Sequence, residues 1–495
     1  MYYVSTRDRS VKVSAAEAIA KGISDEGGLF VPESFPSLSA DDFERLKALD
    51  YIGRAKYILS YFLSDFTQEE TDYCVRGAYT GSFDNESPAP LYTLSENTDI
   101  LELWHGPTCA FKDLALQLLP YLLTTSAKKI SAGKKTVILV ATSGDTGKAA
   151  LEGFRDVPGT EIIVFYPSDG VSPMQKLQMD SQKGGNVHVC AIRGNFDDAQ
   201  TGVKRIFTDT SVKRKLAEHN MQFSSANSIN WGRLAPQIVY YVSAYCDLLS
   251  RGEKLEDGFN VVVPTGNFGN ILAAYYAKKM GVPISRLICA SNANNVLTDF
   301  IRTGTYNKNR EFFTTVSPSM DILISSNLER MLFELSGCDD RTVAKLQSQL
   351  SRDGVFSVSG EIKERLSEIF WGGSCDDRQT LDTIGAVFKK HGYLCDTHTA
   401  VAVCVYGRYR SETGDNKPAV IASTASPYKF ADSVLSALTD KTAGSEFGNV
   451  RLLSEITGTD IPKPIAELES AEVRFKNICE KDKMLSEVYA ALGIK

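Results

Sequence analysis

The stretch HGPTCAFKDLALQLL, residues 105–119, places Lys112 between a rigid, small-residue segment and an apolar helical run. Such a lysine is either a surface residue with its stem laid on apolar surface or an amine held in a dry pocket. In the pocket its pKa falls, and it becomes a nucleophile able to form a Schiff base with an aldehyde. A second stretch, PTGNFGN (264–270), lies between the strand-like FNVVV and the helical ILAAYYAKKM. Its two glycines allow a tight turn, so several N–H groups can converge at a helix N-terminus and cradle an anion. It lacks the Gly-Lys-Ser/Thr of a P-loop and the spacing of a dinucleotide fingerprint. A monophosphate therefore suits it better than ATP or NAD, and the plain alternative is a simple strand-to-helix turn.

A third stretch, ATSGDTGKAA (141–150), repeats the strand–turn–helix pattern. The hydroxyls of Thr142, Ser143 and Thr146 and the free helix amides suit a carboxylate or phosphate. Asp145 would repel such an anion. It must face a hydroxyl or an amine, or serve as a helix cap. SANSINWGRLAPQ (225–237) sets Asn227, Ser228, Asn230 and Arg233 at a helix entrance. That group can hold a phosphate or be a capped helix with a surface arginine. His398 in DTHTA is a lone histidine, more in keeping with structure than catalysis, and STASPYKF (423–430) ends a strand in the hydroxyls Ser423 and Thr424. One reactive lysine, one monophosphate cradle and one carboxylate-binding turn together fit pyridoxal 5′-phosphate with an amino-acid substrate.

These stretches need a frame that brings strand ends together. Short β-branched runs (TVILVA, TEIIVFYP, NVHVCAI, MQFSSA, FNVVVP, RLICAS, KPAVIAST) alternate with amphipathic helical segments from residue 98 onward. This alternation predicts an α/β fold with mainly parallel sheets covered by helices on both faces, and there are enough units for two sheets. Before residue 98, SAAEAIAKGI and SADDFERLKALDYIGRAKYILSYFL predict helices capped by Ser14 and Ser39. Residues 305–390 break the rhythm with helical segments such as NLERMLFELSG and IKERLSEIFWGG, and read as a helix-rich insertion.

The chain of 495 residues is too long for one ordinary core, so about two to four domains are expected. Its formal charge of -7 argues against general nucleic-acid binding, and no apolar run is long enough to span a bilayer. Ten cysteines contain no C-x-x-C pair, which disfavours a zinc knuckle, so no metal is expected. The N-terminal MYYVSTRDRSVKVSAAEA lacks a signal-peptide apolar core and carries Asp8 and Glu17, so a cytoplasmic location is expected.

HGPTCAFKDLALQLL, ATSGDTGKAA, PTGNFGN and STASPYKF, together with YVSTRD and AKGISDEGGLFVPESFP near the start, resemble the threonine synthase family. That family is of fold type II among pyridoxal-phosphate enzymes, in the tryptophan synthase β-like group, and the longer fungal- and enterobacterial-like branch matches best. The likeness runs in order from residue 3 to about residue 430. It implies a mainly helical N-terminal unit at 1–97 and a large cofactor-binding unit at 98–132 and 205–495, carrying the insertion. A small α/β unit would span 133–204.

By the same resemblance Lys112 would carry the cofactor, and Gly266, Asn267, Phe268, Gly269 and Asn270 would hold its phosphate. Thr424 would bond the pyridine nitrogen. Ser143, Gly144, Asp145, Thr146 and Gly147 would surround the substrate carboxylate and the cofactor 3-oxygen. Asn227, Ser228 and Arg233, with Ser172 and Lys176 from SPMQKLQ, are the candidates for the substrate phosphate. Many relatives carry Asn where Asp145 stands. Ser426 and Tyr428 stand where better-known members have histidine and a small residue. The implied reaction turns O-phospho-L-homoserine and water into L-threonine and phosphate, in a monomer or homodimer. Two rivals remain at this stage: a phospho-lyase giving a keto acid and phosphate, and a catalytically idle relative acting as a binding protein.

Overall fold

The β-branched runs form the strands they predict. In the computed structural model, which describes every residue except 131, 132, 143, 169 and 170 and only the backbone at 197, TVILVA lies within Lys135–Ala141 and TEIIVFYP is Thr160–Pro167. These two join Val187–Arg193, Met221–Ser224 and Ile478–Glu480 in a five-stranded sheet whose neighbours all pair in parallel. Its central strands are apolar on both faces, as a parallel sheet covered by helices requires. Val137, Leu139, Ile163 and Phe165 enter one core cluster, while Ile138, Val140, Ile162 and Val164 enter another. The edge strands Met221–Ser224 and Ile478–Glu480 come from outside the 133–204 span expected for the small unit.

The larger sheet runs Phe370–Ser374, Ile284–Ser291, Phe259–Pro264, Ala419–Ser423, Thr98–Glu102, Leu91–Ser95. All its pairs are parallel except the last, which is antiparallel at the edge. The first strand corrects the reading of IKERLSEIFWGG as one helical segment inside an insertion. The helix stops at Ile369, and Phe370–Ser374 pairs with Ile284–Ser291. A Cβ on Gly372 would sit 3.1 Å from Thr298 Cα, and one on Gly373 2.6 Å from the Trp371 ring, so the glycines admit neighbours that a bulkier strand would exclude. Part of 305–390 is thus integral to the main sheet.

The N-terminal unit is more than helical. Ser14 and Ser39 close capping boxes with Glu17 and Asp42, and Tyr3–Ser5, Lys12–Val13 and Phe30–Pro32 form a small antiparallel sheet. This unit shares a core with the long helix Trp231–Ser250. The Trp231 ring lies 5.4 Å from that of Tyr3 and 5.6 Å from that of Phe62. Among the described residues no helix is long and apolar enough to cross a membrane, and no group of three or more His, Cys, Asp or Glu side chains could hold a metal ion.

Candidate active site

The loops that leave the carboxyl ends of the parallel strands meet, which is where α/β sheets ordinarily bind ligands. The loop after Thr98–Glu102 carries Lys112 and is fastened to the segment after Ala419–Ser423. Phe111 N donates to Thr424 O at 2.9 Å, Ser426 N donates to Cys109 O at 3.1 Å, and Ala110 bridges Ala425. Asp113 pins the same loop, its carboxylate accepting from Thr108 N at 2.8 Å and Thr108 Oγ1 at 2.7 Å. Burial pushes the Asp113 carboxyl up to about 6 against those two bonds.

Lys112 immediately precedes the short helix Asp113–Leu116 and is only 9% exposed, so it is the pocket lysine and not the surface one. Its Nζ lies 3.5 Å from Asp145 Oδ2 and 4.6 Å from the centre of the Phe111 ring. Burial pulls the ammonium down to about 8. Asp145 opposes that shift, while the nearby charges of Lys429 and Arg233 add to it.

Asp145 begins the helix Asp145–Phe154 behind Gly144, but its carboxylate does not cap that helix. Instead Oδ1 accepts from Gln175 Nε2 at 3.0 Å and pairs with Lys429 Nζ at 2.7 Å, while Oδ2 accepts from Ser319 Oγ at 3.0 Å. Burial alone would raise its pKa, yet Lys429 and Lys112 hold it well below the usual carboxylate range. The carboxylate thus faces amines and a hydroxyl, one of the two alternatives the sequence left open.

The turn before it is shaped by Thr142. Its Oγ1 accepts from Gly144 N at 3.0 Å and Gly147 N at 2.9 Å. Gly144 has φ 135°, and a Cβ there would meet Gln175 within 2.4 Å. Thr146 lies in the same first turn, half-buried. Ser143 lies outside the described residues.

PTGNFGN forms the expected strand-to-helix turn between Phe259–Pro264 and Gly269–Lys279. Phe268 takes the left-handed φ of 63° that turns the chain into the helix, with its ring packed on Phe370 at 5.5 Å. The helix's first N–H groups have no carbonyl of their own helix to bond. Asn270 Oδ1 accepts from Tyr240 and Tyr241 at 2.6 and 2.5 Å, and its Nδ2 is buried without a partner among the described residues. Segment 325–330 braces the turn from outside. Ser325 Oγ donates to Gly266 O at 2.9 Å, and Asn327 Nδ2 donates to Asn267 O at 3.1 Å.

Ser319 joins the cradle to the lysine. Its hydroxyl binds Asp145, and its carbonyl oxygen would lie 2.8 Å from a Cβ on Gly266. His398 steadies Ser319 by accepting its N–H at Nε2 (3.1 Å), with Nδ1 against Asp396 Oδ2 at 2.7 Å. That arrangement puts the imidazole proton on Nδ1 and gives the lone histidine a structural task.

Of the phosphate candidates, Arg233 is buried, not a surface arginine. The helix cap is supplied by Asn230, and Arg233 Nη1 donates to Ala226 O at 2.9 Å. Burial pulls its guanidinium down to about 10, and its charge acts on Lys112. Ser228 lies beside the cradle, its Cβ 3.8 Å from where a Cβ on Gly269 would be, and Asn227 is half-buried in the same turn. Ser172 and Lys176 are not brought to the cluster. Ser172 Oγ accepts from Gln175 N as the cap of Pro173–Asp180, and Lys176 is on that helix's exposed side. The residue of that helix that reaches Asp145 is Gln175. Thr424 is buried beside the Lys112 loop. Gln175, Ser319 and Lys429 escaped the sequence reading. Only Lys429 left a trace there, as a lysine among apolar and aromatic neighbours in SPYKF.

A buried lysine with a lowered pKa, a glycine-lined cradle closed by backbone and a buried, unpartnered Asn270 Nδ2 at that cradle fit pyridoxal 5′-phosphate. On helix-covered parallel sheets they define a fold-type II pyridoxal-phosphate enzyme. The pyridoxal-phosphate dependent enzyme family model matches residues 85–359, the threonine synthase N terminus model residues 2–79, and the threonine synthase C-terminal model residues 399–488. The chain belongs to the threonine synthase family. It is 37% identical to threonine synthase of Pseudomonas aeruginosa, covering 88% of this chain and 90% of that one. It is 42% identical to threonine synthase-like 1 of Macaca fascicularis, covering 88% of this chain but only 60% of that protein's length. The crystal structure of PLP-bound threonine synthase from Brucella melitensis superposes with a TM-score of 0.87 at 36% identity, covering 99% of each chain.

Proposed function

We propose that this chain is a threonine synthase, converting O-phospho-L-homoserine and water to L-threonine and phosphate. The observation that carries the reading is the Ser319 junction, which links the buried Lys112–Asp145 pair to the Gly266 cradle. In this reading Lys112 would hold the cofactor aldehyde and the backbone of Gly266–Asn270 its phosphate, with Thr424 as the candidate partner of the ring nitrogen and Asp145 of the 3-oxygen. Bound there, the cofactor supplies an aldehyde for the substrate amine and an electron sink that acidifies the hydrogens near it.

The chain's own residues do the rest. Thr146, with Ser143 of the same turn, would bind the substrate carboxylate, while the Gly144 and Gly147 amides, taken by Thr142 Oγ1, hold that turn in shape. Arg233, with Asn227 and Ser228, would hold the γ-phosphate, because a buried guanidinium without a carboxylate partner among the described residues calls for an anion. The Lys112 amine, whose pKa burial lowers to about 8, takes the proton from Cα and serves in turn at Cβ and Cγ. Phosphate departs from Cγ, water adds its hydroxyl at Cβ, and Lys112 returns a proton to Cα. A site closed to bulk water keeps the intermediate from being lost as a keto acid. We place the enzyme in the cytoplasm, supported by ten free cysteines, eight of them buried, and expect a monomer or homodimer, to be read by size-exclusion chromatography.

The test is incubation of the purified chain with O-phospho-L-homoserine, followed by chromatography of amino and keto acids. Threonine with equimolar phosphate is the expected product. A keto acid instead would make the chain a phospho-lyase. No turnover, with borohydride failing to fix cofactor on the Lys112 peptide, would leave the idle-relative reading.

A further inference from the structure

Lys429 has no task in the reaction as described, yet its charge is fully buried in the site. It sits in the turn after Ala419–Ser423, its side chain has no exposure, and its Nζ donates to Thr108 O at 3.0 Å. A buried ammonium persists only with such partners. Its ionic partner is Asp145, at 2.7 Å from Oδ1, the same carboxylate whose Oδ2 faces Lys112 at 3.5 Å. One carboxylate therefore stands between two buried lysines, and the nearer, hydrogen-bonded one is Lys429. Gln175 and Ser319 fill the remaining positions around Asp145. The charged groups that act on Lys112 are Asp145, Lys429 and Arg233, two cations against one anion.

We propose that Lys429 is a positioning residue for Lys112: it fixes Asp145 and takes the larger share of its charge, so that Lys112 exchanges its proton readily inside the site. A carboxylate paired to Lys112 alone would lock that amine as an ammonium, which is neither a nucleophile nor a base. With Lys429 present, Asp145 orients Lys112 without claiming it. The inference rests on the reading that Lys112 is the reactive amine.

The test replaces Lys429 by Met in the full chain and follows the protonation midpoint of the Lys112 nitrogen. In the holoenzyme it is read from the pH titration of the visible cofactor band. After cofactor removal it is read by competitive acetic-anhydride labelling, with the Lys112 peptide quantified by mass spectrometry. Losing a repelling cation and leaving the carboxylate to Lys112 should lower that nitrogen's acid-dissociation constant roughly tenfold or more. Lys429→Gln keeps a hydrogen-bond donor without the charge and should shift it in the same direction, which a purely structural bond would not do. An unchanged midpoint in a variant with native circular dichroism overturns the proposal. Should neither variant fold, the wild-type labelling decides. A Lys112 that titrates like an ordinary lysine, or a Lys429 that reacts as readily as Lys112, overturns it as well. Failure of borohydride to fix the cofactor on Lys112 would instead strike the lysine assignment itself, so the two failures are told apart.

Discussion

Gly266→Ala tests the cradle at its tightest point. A Cβ on Gly266 would stand 2.8 Å from Ser319 O and 3.7 Å from Met320 Cα, both backbone atoms that no rotamer change moves. Ser319 is also tethered, its N–H on His398 and its hydroxyl on Asp145, so displacing it disturbs the carboxylate that faces Lys112. Overpacking of this kind costs about 1–3 kcal/mol. If the cofactor-free chain relieves the strain by opening the turn, the cost reappears on binding as a roughly 5- to 150-fold weaker Kd, at about 1.4 kcal/mol per decade. Gly269→Ala is the internal control. A Cβ there meets only side-chain atoms at ordinary contact distance, Asn327 Nδ2 at 3.4 Å and Gln237 Nε2 and Ser228 Cβ at 3.8 Å, so its Kd should stay within about threefold. Both are measured by titrating pyridoxal 5′-phosphate into the cofactor-free chain and following the visible band, with thermal melts to verify folding. Equal losses in the two variants, or none in Gly266→Ala, would refute the assignment of this turn as a cradle closed by Ser319.

Arg233→Ala should lower kcat/KM for O-phospho-L-homoserine about tenfold or more, since a charge-assisted bond is worth roughly 1.5–3 kcal/mol, and should leave the resting cofactor spectrum nearly unchanged. Arg233→Lys should restore only part of the loss, and steady-state kinetics beside absorbance spectra check both. For pH, burial sets the Lys112 pKa at about 8 in the folded chain against 10.5 unfolded. The unfolded chain thus binds more protons between those values, and the cost of burying the ammonium is complete below about pH 8 and is relieved toward 10.5. Lys112→Met should accordingly stabilise the cofactor-free chain most below pH 8, with the gain over wild type shrinking toward pH 10.5. Denaturant melts of both proteins across that range measure it, and a gain that grows with pH would refute the burial argument.

Some of this was legible in the sequence because it is local. A strand needs only a β-branched run, and TEIIVFYP became Thr160–Pro167 residue for residue. Caps need only a hydroxyl three residues ahead of an acid, and Ser14 and Ser39 close their boxes. PTGNFGN and ATSGDTG were readable as strand-to-helix turns because glycine spacing and helix onset lie within a few residues of each other. Lys112 stood out because a lysine between Phe111 and an apolar helix is chemically out of place.

Other features have no local signal. IFWGG continues a helical pattern, and only its pairing with Ile284–Ser291 makes it a strand. Arg233 reads as an arginine one turn into a capped helix. Its burial comes from elements packing over it, and so does the lowering of its pKa. Lys176 has the charge a phosphate would want, but the helix turns it outward and sends Gln175 in, a choice set by the packing of that helix against Asp145–Phe154 and the 427–430 turn. The carboxylate between two lysines is the clearest case. Lys112, Asp145 and Lys429 come from three loops far apart in the chain, and neither the charge each one sees nor the proton it keeps exists until parallel strands bring their carboxyl ends together. The sequence by itself determined which residues were available for chemistry and the turns that present them. Their protonation, partners and burial were decided by tertiary structure, because electrostatic energy depends on distance and on the exclusion of water, and both are properties of the packed fold.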